Sequence, residues 1–214
     1  MLLFLLISAI LFFFVVYHIV QEKKRVEKLS SLAQSLGFTY SQTVSSDIQN
    51  EISGFKLFNQ GHSKQYRNLL VEQKNDLKVV FFDYHYTTGS GKNRSSHNQT
   101  VAYFTSDQLR LPAFVLCPEN LFHKIGALVG YDDIDFREYP EFSKKFLLKG
   151  PDEQAIRDYF TDSIVHFMEN RTNYTIEASG ERLIIYIKEK KLSLKNMERE
   201  IMECLNVYKV FRKK

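Results

Sequence analysis

Residues 2–20 read LLFLLISAILFFFVVYHIV, with no Asp, Glu, Lys or Arg among them. As a helix at 1.5 Å per residue this run is about 28 Å long, close to the hydrocarbon thickness of a bilayer. A helix buried in a soluble core is rarely apolar on every face for so long. A cleaved signal peptide would carry a positive segment before the run and a small-x-small cleavage site after it. Here nothing but the amino terminus is positive before the run, and HIVQEKKR follows it. The run therefore reads as a signal-anchor, a single transmembrane helix over 1–20.

The flanks predict its orientation. Lys23, Lys24, Arg25 and Lys28 follow the run and no Lys or Arg precedes it. The positive-inside bias then puts the amino terminus outside and the rest in the cytoplasm. The same cations are expected to touch anionic lipid headgroups. In that compartment the Asn-x-Ser/Thr triplets at Asn93, Asn98, Asn170 and Asn173 are chance matches rather than glycosylation sites.

Past the anchor the chain has the length and composition of one ordinary domain. A basic helical stalk is expected over 21–37, with Val26, Leu29, Leu32, Ala33 and Leu36 at helical spacing and Gly37 ending it. Its apolar stripe would dock on a soluble domain spanning 38–214. The 18 Phe and 12 Tyr favour sheet. Strands are predicted at 55–58, 68–74, 77–86, 99–106, 109–119, 144–150, 173–179 and 181–189. Short helices are expected at 45–52, 120–128, 153–160 and 161–170, and an amphipathic one at 194–211. The fold class is thus α+β: a transmembrane helix, then mainly antiparallel strands, then a C-terminal amphipathic helix. The two cysteines, Cys117 and Cys204, lie far apart without a CxxC partner and read as reduced, buried thiols.

No motif carries a definite chemistry. GSGK at 89–92 resembles part of a phosphate loop, but Tyr86 and Asn93 stand where Gly and Ser or Thr are required. It also joins strand to strand, so it reads as a basic hairpin tip, with Lys92, Arg94 and His97 able to meet an anionic partner. Asp132, Asp133 and Asp135 are candidate ligands for a hard cation, but Phe136 and Tyr139 interrupt any calcium-loop pattern. A solvated acidic turn explains them without a metal. Asp83 and His85 share one face of their strand and are the candidate acid–base pair. A solvent-facing polar strand accounts for them equally well. Cys117 as a nucleophile would need His123 beside it. The tail VYKVFRKK offers Arg212, Lys213 and Lys214 as further headgroup contacts. The basic footprint is too small for nucleic acid, and no cofactor is implied.

QTVAYF, LRLPAFVLCPE, GYDDIDF, YPEFSKKFLLKG and AIRDYF, in that order between Gln99 and Phe160, resemble an uncharacterised group of bacterial proteins. Those proteins share a short amino-terminal membrane helix and a basic stalk. The resemblance brings no activity and no catalytic residues. It implies a bacterial inner-membrane protein in which Asp133, Asp135, Pro140, Phe142 and Ser143 belong to one structural element. The expectation is a membrane-tethered interaction or sensory module without catalysis, facing an unknown membrane or cytoplasmic protein. An enzyme using Asp83, His85 or the 132–135 acids is the first alternative, and an anionic-lipid-binding domain is the second.

Overall fold

A computed structural model of the chain describes residues 2–124, 131–193 and 195–212. The first helix, α1 (Leu2–Leu36), runs without a break from the apolar run through the basic stretch. It ends at Gly37, whose φ of +81° suits a left-handed cap, and Phe38 donates its N–H back to the Ala33 carbonyl. Among the described residues α1 is the one helix long and apolar enough to cross a membrane, and the apolar window is not buried at all.

The strands are β1 (Thr39–Thr43), β2 (His62–Lys74), β3 (Leu77–Thr88), β4 (Ser95–Thr105), β5 (Leu111–Pro118), β6 (Phe146–Lys149), β7 (Thr175–Gly180) and β8 (Arg182–Tyr186). They form one sheet in the order β1-β2-β3-β4-β8-β7-β5-β6, with every neighbouring pair antiparallel. The further helices are α2 (Ser46–Ile52), α3 (Pro140–Lys145), α4 (Glu153–Tyr159), α5 (Asp162–Glu169) and α6 (Met197–Phe211). The expected α+β class, with a long apolar helix before the sheet and a helix after it, is what the structure has.

Both sheet faces are covered, which explains why β3 reads as a nearly continuous apolar run rather than an alternating one. On one face Val79, Phe81, Ala102 and Phe104 pack with Leu29, Leu32 and Ala33 of α1 and with α4, α5 and α6. Tyr208 of α6 stacks on Phe104 at 4.9 Å between ring centroids. On the other face Val80, Phe82, Tyr84 and Tyr86 meet Ile48 and Ile52 of α2 and Phe58. Each such large apolar side chain contributes about 1.5–3 kcal/mol when removed from water.

Three departures from the sequence reading have physical causes. Residues 56–59 form a 3-10 turn, not a strand, because the Lys56 and Leu57 N–H groups are taken by the Glu177 carboxylate. The β3–β4 hairpin is longer than expected, since Thr87 and Thr88 pair with Ser96 and Ser95, leaving a short tip. Glu119–Lys124 is a 3-10 helix, and the rest of the helix expected over 120–128 lies outside the described residues.

Asp132, Asp133 and Asp135 are exposed, while Ile134 and Phe136 between them are buried and tie the stretch to the domain. Ile134 donates to the Leu148 carbonyl, and the Asp133 carboxylate accepts the Leu148 N–H. Residues 133–134 thereby cover the outer edge of β6, an edge that would otherwise offer unpaired backbone groups. Pro140 opens α3, Ser143 accepts the Phe136 N–H, and Phe142 packs against Phe136, Phe146 and Phe160. Gly150 closes this element. A Cβ there would stand 2.3 Å from the Ala113 carbonyl oxygen and 2.5 Å from Ile156 Cδ1. Gly150→Ala is therefore expected to lower stability by about 1–3 kcal/mol in chemical denaturation.

Candidate functional site

The densest polar cluster lies where α1 leaves its apolar run and meets the sheet. Arg25 shares the inward stripe of Leu29 and Leu32 and is only 6% exposed. Its Nε donates to Asp83 Oδ2 at 2.6 Å and its Nη2 to Asp83 Oδ1 at 2.7 Å, a two-pronged ion pair. Nη1 donates to the Leu192 carbonyl at 2.7 Å. Asp83, 4% exposed, also accepts from Asn68 Nδ2 at 3.0 Å and Thr100 Oγ1 at 2.6 Å. Lys191 Nζ stands 3.8 Å from Asp83 Oδ2 and 3.5 Å from Glu22 Oε1.

Local backbone chemistry aims these groups. The β2–β3 register shifts between Arg67 and Leu70, and Asn68 there has φ +57°, a conformation Asn tolerates better than most residues. The bulge turns Asn68 toward Asp83, and the Tyr40 hydroxyl fixes the amide by donating to its Oδ1 at 3.0 Å. Thr100 Oγ1 in turn accepts the Leu192 N–H, tying the 187–193 segment across the cluster. Burial alone would push the Asp83 carboxyl up. The Arg25 hydrogen bonds and charge, with Lys191 and Thr100, outweigh it and hold Asp83 below the usual carboxylate range.

The acid–base reading of Asp83 and His85 loses its base here. Asp83 is buried rather than solvent-facing and is committed to a guanidinium. His85 Nδ1 bonds Asn98 Oδ1 at 3.0 Å instead, and no hydrogen bond joins the two residues. They do line one cavity, about 160 Å³, with His18, Glu22, Gln65, Arg67 and Lys191. Asp132, Asp133 and Asp135 are on another part of the protein. Among the described residues no group of three His, Cys, Asp or Glu side chains converges as a metal site.

The cationic flank divides. Lys23, Lys24 and Lys28 are exposed, but Arg25 is turned inward, so it is a structural ion-pair partner rather than a headgroup contact. Arg212 lies near Asp76 in the β2–β3 turn, whose carboxyl is held low chiefly by the Ser106 hydroxyl, with Arg212 adding to it. That is the end of the sheet away from the apolar run, so Arg212 does not join Lys23, Lys24 and Lys28. Lys213 and Lys214 lie outside the described residues. Both cysteines are free and buried, and burial pushes each thiol up to about 12, far from a nucleophile's range.

A second buried carboxylate was not visible to motif reasoning. Glu177 of β7 is 3% exposed and accepts from Lys56 N at 2.5 Å, Leu57 N at 3.0 Å and the Tyr186 hydroxyl at 3.1 Å. Burial dominates these donors and raises its carboxyl to about 7. The only sequence hint is an acid in mid-strand, between Ile176 and Ala178.

No protein-family model matches the sequence, and no curated protein matches it. In three dimensions the chain is similar to the crystal structure of the mycobacterial trehalose monomycolate transport factor A, TtfA. The TM-score is 0.62 at 12% identity, covering 87% of this chain and 92% of that one. At that identity the likeness is one of fold.

Proposed function

We propose that this protein is a membrane-tethered, non-catalytic interaction module whose sheet is held in a fixed pose beside the bilayer. One observation carries the reading. The same unbroken helix that exposes Phe12, Phe13 and Phe14 buries Arg25, Leu29, Leu32 and Ala33 in the domain. Anchor and domain are therefore one rigid piece rather than two bodies on a linker. A contiguous apolar surface of this length needs a non-aqueous partner, and a bilayer fits it. Tethering concentrates the domain for partners at the same surface. The cationic flank supports a cytoplasmic domain. The fold likeness to a lipid transport factor is compatible with work next to lipids.

Membranes carrying the full-length chain test this directly. The protein should resist alkaline carbonate extraction and retain residues 2–20 by mass spectrometry. A carboxyl-terminal tag should be shielded from protease in intact spheroplasts and digested after lysis. Trimming near residue 20 would replace the anchor with a cleaved leader, and digestion of the tag in intact spheroplasts would reverse the orientation.

A further inference from the structure

We propose that the end of the sheet built by residues 61–67 and 84–99 rests on the bilayer and binds the phosphate of an anionic phospholipid headgroup. The inference builds on the membrane-anchor reading above and adds a binding surface to it. It starts from direction. Phe38, just past the helix, packs on Phe81 at 5.9 Å, Arg25 pairs with Asp83, and His18 lines a cavity with His85. Strand β3 thus advances toward the apolar part of α1 as the chain of α1 recedes from it. From Asp83 to Thr88 the strand gains about 16 Å at about 3.3 Å per residue. From Arg25 to His18 the helix gains only about 10 Å. The tip of the β3–β4 hairpin therefore reaches past His18 to the level of the last apolar turns of α1.

The charge of that end suits the location. Residues 61–67 and 84–99 hold Lys64, Arg67, Lys92 and Arg94, and no Asp or Glu. All four cations are exposed. Arg67, Lys92 and Arg94 make no ion pair among the described residues, and Arg67 lines the mouth of a cavity whose two carboxylates, Glu22 and Asp83, already face Lys191 and, for Asp83, Arg25. The opposite end of the sheet is different, with Asp76 and Asp107 side by side. Glu189 reaches this end only to pair with His97, so the exposed Arg67, Lys92 and Arg94 leave it basic, which matches an anionic bilayer surface and its phosphates. Guanidinium is well suited to grip phosphate oxygens in pairs.

The chain has no Trp, so the indole of Ser90→Trp is a clean depth probe. Full-length protein would be placed in nanodiscs of zwitterionic lipid, with or without added phosphatidylglycerol, and with lipids brominated near the headgroup. The expected result is a blue-shifted Ser90→Trp emission, quenched by the brominated lipid and more so with phosphatidylglycerol. Asn75→Trp, in the β2–β3 turn, should stay unquenched. Phosphatidylglycerol co-purifying with the protein should fall about fivefold for Arg67→Gln and further for Lys92→Gln combined with Arg94→Gln. An unquenched Ser90→Trp in protein that has inserted overturns the inference and leaves the anchor intact. So does phosphatidylglycerol retention unchanged by all three substitutions, which would point to a protein partner for the same cations. A chain that fails to enter nanodiscs at all sinks the anchor reading as well.

Discussion

Arg25→Met is expected to destabilise the folded domain by about 3–5 kcal/mol, measured by chemical denaturation of the detergent-solubilised chain. The substitution keeps the aliphatic stem that packs beside Leu29, so the loss is electrostatic rather than a cavity. It strips Asp83 of its two shortest guanidinium bonds and leaves a carboxylate 4% exposed, with Asn68, Thr100 and a more distant Lys191 as partners. Removing both charges in Arg25→Met/Asp83→Leu should cost less than Arg25→Met alone, because an apolar pair needs no solvation. A double mutant at least as unstable as the sum of the singles would show that the pair is not the source of the stability. The pH dependence has a definite sign. Asp83 titrates below its unfolded value, so its contribution is present at neutral pH. That contribution is lost only as pH falls below the ordinary Asp range of about 3.9. The single mutant should therefore lose less stability in acid than the wild type does.

This ion pair also shows where the sequence could be read and where it could not. The helical stripe of Leu29, Leu32 and Ala33 was visible, and so was the sheet-rich domain behind it. Arg25 sits four residues before Leu29 on that same stripe, and position alone marks it as inward-facing. A cation just past an apolar run is ordinarily read as a membrane flank, and that reading hid it. Asp83 was singled out, but its partner comes from 58 residues away, and no local pattern encodes that distance. The 3-10 turn at 56–59 was missed for the same reason. FKLF has strand composition, and what overrides it is Glu177, 121 residues further on. The β3–β4 and β7–β8 hairpins were legible in outline because turn residues are local, but the extra pairing of Thr87 and Thr88 and the edge strand β1 were not. The polar cluster was not, because it depends on how α1, β2, β3, β4 and the 187–193 segment come together.

Glu177 gives the other large effect, and of opposite sign to Asp83. Its carboxyl is raised to about 7 in the folded protein, against about 4.3 in an unfolded chain. Between those values the unfolded state releases a proton that the folded state keeps. Stability must therefore fall as pH rises from about 5 to 8, by about 2–3 kcal/mol in total. Below the unfolded value the contribution is fully present, and above about 7 it is gone. The structural consequence is local, since Glu177 is what holds the Lys56 and Leu57 N–H groups against β7. Ionisation keeps those bonds but places a full charge in a site 3% exposed. Glu177→Gln removes the titration while placing an amide donor opposite a backbone donor. The variant should be less stable than wild type at pH 5, and its stability should be nearly flat to pH 8 where the wild type declines. Denaturation curves at both pH values, in the same detergent, read this difference while cancelling the histidines common to both proteins. A variant that declines as steeply as the wild type would remove Glu177 as the source of the pH response.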